Sequence, residues 1–304
     1  MVSLSFPAFI GMFVMALYNI ADTIFVARGV GTLGVAALSI AFPIQMIMGA
    51  LAATFGIGGA SIISLRLGAN SPGEANKVFN HIIWMVGFFS ILMTVAALSF
   101  LEPLLRIFGA TENILPYAKD FLSIILVGSV FSTFAMATNN VARSEGNARI
   151  AMLTMIISAV INIILNPIFI FVLGMGIKGS ATATVISQFI AAAWLLKYFV
   201  GEKSSLTVKW IRLLPDFKIV KEIVLIGLPS FIMMASASLM VVSVNWMLLV
   251  FSGEIQIAVF GIINRLMALA YMPINGVVQG IQPIIGYNHG AKLQGRVTQT
   301  IKLV

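Results

Sequence analysis

The sequence contains no cysteine, only two histidines and few charged residues. The absence of cysteine excludes a disulfide framework, a thiolate metal site and a cysteine nucleophile. Charged residues make up 9% of the 304 residues and apolar residues 60%, with a mean hydropathy of +1.06, whereas an ordinary soluble domain is roughly 25% charged. The sequence also lacks a P-loop, a G-x-S-x-G elbow and an H-E-x-x-H motif. It therefore predicts an all-α polytopic membrane protein that is not an enzyme.

Long apolar runs are the main feature of the chain. A spanning helix needs about 20 mostly apolar residues, and eight stretches reach that length: Leu4–Ala27, Leu33–Leu65, Ile82–Leu101, Tyr117–Thr138, Ile150–Leu173, Ala181–Val200, Ile223–Phe251 and Ile255–Tyr287. The second and eighth are longer than a bilayer requires, so we expect them to tilt or bend. The expected positions of bends are Pro43, Pro273 and the cluster Gly56, Gly58 and Gly59.

The basic residues are distributed unevenly between the loops. The loops after even-numbered spans contain 13 of the 18 basic residues: Arg66, Lys77, Arg143, Arg149, Lys197, Lys203, Lys209, Arg212, Lys218, Lys221, Lys292, Arg296 and Lys302. The positive-inside rule therefore predicts a multi-pass protein of the inner (plasma) membrane with a cytoplasmic N-terminus. The net charge of +8 is then a signal of topology, and we expect the lipid bilayer, but no nucleic acid, as a partner.

One acidic residue, Asp22, lies well inside an apolar span. A charged residue there costs roughly 2.5–3.5 kcal/mol on insertion scales, so such positions are usually functional. One interpretation is a coupling site that takes up Na⁺ or a proton, with Na⁺ as the only metal ion expected. The other is an acid near the outer interface that pairs with Arg28 or caps a helix turn.

Amide and hydroxyl side chains cluster at membrane depth in other spans. Asn162 and Asn166 are four residues apart and share a helix face; Asn139 ends the fourth span and Thr184 opens the sixth. Their oxygens suit a hard cation such as Na⁺. Hydrogen bonding between helices, typically worth about 0.6 kcal/mol per contact, is the alternative. The predicted cation-coupling set is thus Asp22, Asn139, Asn162, Asn166 and Thr184.

A second set of polar residues is predicted to face a substrate cleft. Its members are Tyr18, Gln45, Arg265, Asn275, Gln279 and Gln282. Gln279 and Gln282 are three residues apart and share a helix face. Arg265 lies within the eighth span, where it either binds a polar or anionic group in the cleft or pairs with another span. Snorkelling of its side chain to the interface is the alternative.

An internal repeat appears when the sequence is shifted by 222 residues. The shift aligns Pro7 with Pro229, Gly31 with Gly253, Gly58 with Gly280, Gly68 with Gly290 and Gly73 with Gly295. Each unit would contain six spans, so that the two copies are parallel repeats around a central cleft. We therefore predict an N-terminal lobe at residues 1–200, a basic cytoplasmic linker at 201–221 and the start of a C-terminal lobe at 222–304. A complete copy would have about four more spans.

Five motifs together resemble the multidrug and toxic compound extrusion (MATE) family, in its DinF/MepA-like branch. They are Leu17–Thr23, Asn140–Asn147, Ile161–Phe169, Gly179–Thr184 and Met272–Ala291. The resemblance implies twelve spans in two six-helix lobes, and export of drug-like, often cationic compounds in exchange for Na⁺ or H⁺, without any other cofactor. It places ion coupling at Asp22, with Asn162 and Thr184 matching further members of that site.

The sequence departs from the family pattern at two positions. Asn166 stands where many relatives carry aspartate, and Ala237 falls near the place of an acid that another branch carries in its seventh span. Two other functions stay open on the sequence: a flippase for lipid-linked oligosaccharides of the related superfamily, and a non-transporting fragment. A complete protein is expected to be a monomer.

Overall fold

The computed structural model describes residues 2–208 and 215–303. These residues form helices and no strand: α1 (Val2–Gly29), α2 (Thr32–Gly68), α3 (Pro72–Ser99), α4 (Leu101–Ile107), α5 (Leu115–Ser144), α6 (Ala148–Pro167), α7 (Ile177–Val200), α8 (Phe217–Phe251), α9 (Glu254–Gly290) and α10 (Gln294–Lys302). A π-helical turn at Ile168–Val172 continues α6. Lys209 and Arg212 of the predicted basic linker lie outside the described residues, as does the side chain of Pro273.

The predicted spans correspond to the eight long helices. Within the described residues, seven helices are long and apolar enough to cross a membrane: α1, α2, α3, α5, α6 with its π-helical turn, α7 and α8. The eighth predicted span coincides with α9, which has 37 residues. The third helix begins ten residues earlier than predicted, because Pro72 starts it within a polar segment that continues the apolar span. The two short helices, α4 and α10, were not predicted.

Helix α2 lies at the centre of the bundle and packs against α3, α5, α8 and α9, while α1 packs against α6 and α9. Two apolar clusters hold the helices together. Ile40, Leu105 and Leu122 are fully buried in one cluster, and Phe79 and Phe199 pack in the other with their ring centroids 4.6 Å apart. Burial of α2 on several sides explains why its sequence is apolar without a clear polar face.

The helix boundaries repeat with the register predicted from the sequence. Helices α2 (Thr32–Gly68) and α9 (Glu254–Gly290) have the same length, and both of their ends differ by 222 residues. Each is preceded by a glycine with a positive φ, 92° at Gly31 and 93° at Gly253. Both positions have the left-handed backbone that glycine adopts without steric cost, so the two glycines play one structural role.

The turns after these two helices are equivalent as well. Asn70 and Lys292 have φ values of 56° and 61°, and they are the two non-glycine residues with positive φ in the described chain. They also differ by 222 residues. The next helices begin at Pro72 and Gln294, in the same register. The division into lobes and linker remains a prediction that this local equivalence supports.

Small residues bring the two units into close contact. A Cβ atom added to Gly58 of α2 would overlap the carbonyl oxygen of Ile223 in α8, and one added to Gly280 of α9 would lie 2.5 Å from the Cα atom of Ser5 in α1. Gly58 and Gly280 are equivalent in the repeat, so the contact between α2 and α8 corresponds to that between α9 and α1. The glycines expected to bend α2 lie within an uninterrupted helix, and their observed role is close helix packing.

Candidate functional site

The carboxylate of Asp22 lies inside the first unit, where it faces α6 and α7. Its Oδ1 atom accepts hydrogen bonds from Nδ2 of Asn166 at 2.5 Å and from the hydroxyl of Ser180 at 2.6 Å. Asp22 is 7% exposed, and Asn166 and Ser180 are fully buried. Among the described residues no ion pair joins Asp22 to Arg28. The charge is therefore held by neutral donors, which stabilise an ionised carboxylate without neutralising it.

Two further side chains extend this network. Nδ2 of Asn166 also donates to Oδ1 of Asn162 at 3.2 Å, and Nδ2 of Asn162 donates to the hydroxyl of Thr184 at 3.0 Å. The spacing of four residues explains the arrangement, because it places Asn162 and Asn166 on one face of α6 and Ser180 and Thr184 on one face of α7. The structure thus brings together four of the five predicted cation-coupling residues.

Asn139, the fifth predicted member, lies elsewhere. Its Nδ2 atom donates to the backbone carbonyl of Ala151 at 2.9 Å. Ala151 precedes Asn162 by eleven residues on α6, which corresponds to about 16 Å along the helix axis. Asn139 therefore belongs to the packing of α5 against α6 and not to the network around Asp22. Its place in the sequence, at the end of a span, gave no information on depth relative to Asp22.

Ser180 is a member of the network that the sequence prediction missed. The signal was its position four residues before Thr184, which predicts a shared helix face. Thr182, between them, instead directs its hydroxyl to the carbonyl of Lys178 on its own helix at 2.8 Å. The three small polar residues of α7 are thus divided by the helical period into two that reach the network and one that does not.

A cavity of about 140 Å³ adjoins Asp22 and lies between the two units. The first unit contributes Tyr18, Asn19, Asp22, Gln45 and Thr184, and the second unit contributes Asn245, Asn264 and Arg265. The cavity therefore contains three of the residues predicted for a substrate cleft: Tyr18, Gln45 and Arg265. Gln45 also lines a neighbouring cavity of about 170 Å³ whose wall includes Met48 and Met136.

Arg265 reaches from α9 to the first unit. Its Nη1 atom donates to the backbone carbonyl of Asn19 in α1 at 2.9 Å. Its positive charge interacts across the cavity with the negative charge of Asp22. The side chain thus crosses to another helix instead of snorkelling to the interface.

The remaining predicted cleft residues do not line this cavity. Gln282 donates to the hydroxyl of Ser61 at 2.8 Å and faces a different, mainly apolar cavity of about 560 Å³ near the C-terminal ends of α2 and α9. Gln279 has a buried side-chain oxygen without a partner in the described chain, and Asn275 is exposed. The six predicted residues therefore do not form a single group, because these three lie on α9 several turns beyond Arg265.

Asn245 of α8 is a cavity residue without a counterpart in the prediction. It is fully buried, and within the described residues neither its amide oxygen nor its amide nitrogen has a hydrogen-bond partner. The repeat contained a signal, since the residue equivalent to Asp22 is Val244, directly before it. A buried polar group without a partner is unusual and calls for an explanation.

The donor set around Asp22 suits a monovalent coupling ion. Within the described residues no three His, Asp or Glu side chains form a group that could hold a metal, and Asp22 is the single carboxylate of the network. The side-chain oxygen of Asn166 is buried without a partner in the described structure. One carboxylate beside amide and hydroxyl oxygens can accept a proton, or surround a hard cation such as Na⁺.

Comparison with known proteins agrees with these features. A family model described as MatE matches residues 7–168 and 229–303. The multidrug export protein MepA of Staphylococcus haemolyticus is 30% identical to this chain over 304 residues, which cover all of this chain and 67% of that protein. MepA of Staphylococcus aureus is 28% identical over the same coverage.

Solved structures show the same fold. The MATE multidrug transporter DinF-BH, in a complex with a bound drug, is similar with a TM-score of 0.95 and 49% identity, over 99% of this chain and 68% of that one. An outward-facing MATE transporter of the MOP superfamily is similar with a TM-score of 0.89 and 32% identity, over 98% of this chain and 66% of that one. The chain thus spans about two thirds of the length of these relatives.

Proposed function

Because the chain belongs to the multidrug and toxic compound extrusion family, we propose that it exports drug-like organic compounds in exchange for H⁺ or Na⁺. The observation that carries this proposal is the buried carboxylate of Asp22, held by Asn166 and Ser180 beside a cavity between the two units. The multidrug export function of the relatives supports the substrate class.

In the proposed cycle, Asp22 carries the coupling ion. With the site empty of cation, the ionised carboxylate accepts the hydrogen bonds from Asn166 and Ser180. A proton or Na⁺ neutralises the charge and removes the electrostatic attraction that Asp22 exerts on a cationic compound in the cavity. Because a ligand shifts an equilibrium only by its differential affinity, loss of this attraction is what releases the compound.

Contacts on both sides of the cavity are the elements that alternating access would open. Toward one end of α8, the indole nitrogen of Trp246 donates to the carbonyl of Ile107 at 2.5 Å, and the hydroxyl of Thr111 donates to the carboxylate of Glu254. Toward the other end, Gly58 packs against α8. We propose that the two sets break in alternation, with the N-terminus of the chain in the cytoplasm of a plasma-membrane protein.

The test is gradient-driven movement of a monocationic dye in inverted membrane vesicles. Ethidium or rhodamine 6G is added outside, and a gradient of H⁺ or Na⁺, high inside, is imposed in separate experiments. The unaltered chain should concentrate the dye with one of the two gradients, and Asp22→Asn should not. The matched control is Asp120→Asn, because Asp120 is a half-exposed partner of Lys178 outside the network. Ion-driven accumulation that persists in Asp22→Asn would refute the role of Asp22, and no accumulation by the unaltered chain would refute the export function.

A further inference from the structure

The cavity beside Asp22 has walls of opposite charge. The wall from the first unit carries the carboxylate of Asp22, and the wall from the second unit carries the guanidinium of Arg265. Both residues are far from the ends of their helices, at position 22 in α1 (Val2–Gly29) and position 265 in α9 (Glu254–Gly290). The formal charge of the cavity is therefore zero, but its two charges are on different walls.

The guanidinium of Arg265 is incompletely paired. Its one hydrogen bond to the described part of the chain goes to the carbonyl of Asn19, and no carboxylate of that part lies within 4.0 Å of its nitrogen atoms. An arginine provides five N–H donors in a planar fork that fits a carboxylate in a bidentate manner. Arg265 thus has donors available toward the cavity, at a depth where an unpaired charge is unfavourable.

Asn245 gives an independent indication of a ligand on the same wall. Its side chain is fully buried, lines the cavity and has no hydrogen-bond partner among the described residues for either amide atom. An amide in this state loses its hydration without compensation. A ligand oxygen that accepts from the amide of Asn245 and from Arg265 would satisfy both groups together.

Charge balance distinguishes between classes of ligand. A simple organic cation placed near Asp22 would leave Arg265 without a counter-charge, and its own positive charge would repel the guanidinium. A compound with one positive and one negative group would pair both walls, and its total charge would match the neutral cavity. In a site of low dielectric, complementary pairing of every charge decides whether binding is favourable.

We propose that this cavity is a binding site for zwitterionic organic compounds. The carboxylate of the compound binds Arg265 and Asn245, and its cationic group faces Asp22. This assignment rests on the proposed export function and specifies its substrate class. The cavity of about 140 Å³ encloses the charged end of such a compound. The apolar body extends into the neighbouring cavity of about 170 Å³, which shares Gln45 and is lined by Met48 and Met136.

Two dyes that differ in one group test the proposal. Rhodamine 6G is a cationic xanthene dye with an ethyl ester, and hydrolysis of the ester gives a carboxylic acid that is zwitterionic at neutral pH. The dissociation constant of each dye is measured by fluorescence anisotropy with the purified chain in lipid nanodiscs. The unaltered chain should bind the acid about tenfold more tightly than the ester.

Substitutions on the second wall should act on one dye only. Arg265→Gln should weaken binding of the acid by at least tenfold and leave binding of the ester unchanged or tighter, because it removes the charge that repels a cation. Arg265→Lys should retain part of the affinity for the acid, and Asn245→Leu, of similar size, should weaken it severalfold. Arg106→Gln is the control, because Arg106 is half-exposed and pairs with Glu102 and Glu112 outside the cavity.

The outcomes separate this inference from the export function. Equal binding of the two dyes by the unaltered chain, or equal losses for both dyes in Arg265→Gln, would overturn the zwitterion site while ester export in vesicles still supports the exporter. Discrimination between the dyes that disappears in Arg265→Gln supports the site even if no dye is exported, in which case the export function alone fails.

Discussion

Nδ2 of Asn166 lies 2.5 Å from Oδ1 of Asp22, so that a neutral amide occupies a position beside the buried carboxylate. The same nitrogen is shared with the side-chain oxygen of Asn162 at 3.2 Å. One donor group thus links the acid of α1 to the amide pair of α6. Because the family resemblance implies aspartate at this position in many relatives, Asn166 is where the charge of the coupling site differs.

Asn166→Asp should raise the affinity of the site for its coupling cation. The substitution replaces a donor by a second negative charge next to Asp22, and a cation between the two carboxylates gains Coulomb energy. We expect half-maximal coupling at about tenfold lower cation concentration, which corresponds to roughly 1.4 kcal/mol. The measurement is gradient-driven dye accumulation titrated with the cation that drives the unaltered chain.

The matched control for this charge change is Asn139→Asp. Asn139 is also a buried amide, but its nitrogen bonds the carbonyl of Ala151, far from Asp22. We expect no increase in cation affinity from that variant. Unchanged half-saturation in Asn166→Asp would contradict the assignment of the network as the coupling site.

The contrast between Asn139 and Ser180 shows how much of the site the sequence could predict. Spacing along one helix predicted correctly that Asn162 and Asn166 share a face, because the helical period is fixed. It could not predict which helices approach one another, or at which depth. For that reason the sequence prediction includes Asn139, although α5 meets α6 near Ala151, and omits Ser180, although α7 brings it to Asp22.

The fold was easier to predict than the site. The length and apolarity of the spans are set by the bilayer, so eight long helices followed from the sequence. The repeat register also followed, because Gly31 and Gly253 are needed at equivalent left-handed turns. The short helix α4 was missed because its seven residues, Leu101–Ile107, continue an apolar span without a strong sequence boundary.

Ser180→Ala should destabilise the cation-free protein. A hydrogen bond to a charged group typically contributes about 1.5–3 kcal/mol, and Ser180 donates one to Asp22 at 2.6 Å. We expect the thermal midpoint of the purified protein to fall by a few degrees at low cation concentration. Saturating cation should reduce the difference, because the neutralised carboxylate needs the donor less.

Thr182→Ala serves as the control on the same helix. Its hydroxyl bonds the carbonyl of Lys178 and does not reach Asp22, so its effect should be small and independent of the cation. If Ser180→Ala lowered the midpoint equally at all cation concentrations, Ser180 would have a structural role alone.

Stability should depend on pH through Glu145, in the loop between α5 and α6. Its carboxylate accepts hydrogen bonds from Ser204 and from the backbone nitrogen of Ser205, at the start of the linker. Burial raises the pKa of Glu145 above its usual range, although these hydrogen bonds oppose the shift. Because the raised pKa favours the protonated form in the folded state, the stabilising contribution is present at low pH and is lost as the pH rises through that pKa.

Glu145→Gln should therefore reduce the pH dependence of thermal stability. The amide oxygen of glutamine can still accept from Ser204 and the backbone of Ser205, and it carries no charge to desolvate. The thermal midpoint is measured from about pH 4 upward, at intervals of about half a unit across the usual glutamate range of about 4.3 and above it. A curve for Glu145→Gln that runs parallel to that of the unaltered chain would show that the charge of Glu145 is not responsible.

Gly58→Ala should weaken the contact between the two units. Its new Cβ atom would overlap the carbonyl oxygen of Ile223, and a Cβ atom at Gly227 would overlap that of Thr54. Backbone atoms that overlap in this way have to move, and overpacking of this kind typically costs about 1–3 kcal/mol. We expect each single variant to unfold at a lower temperature. Because both substitutions push the same two helices apart, the double variant should lose less than the sum of the single losses.

Gly87→Ala distinguishes this packing effect from the general consequence of removing a helical glycine. Gly87 lies within α3, and an added Cβ atom would meet no heavy atom within 4 Å. Alanine there should stabilise the helix by about 0.5–1 kcal/mol. Opposite signs for Gly58→Ala and Gly87→Ala are therefore expected. The same sign for both would mean that α2 and α8 are not held as closely as the structure shows, and the close approach that encloses the cavity between the units would lose its support.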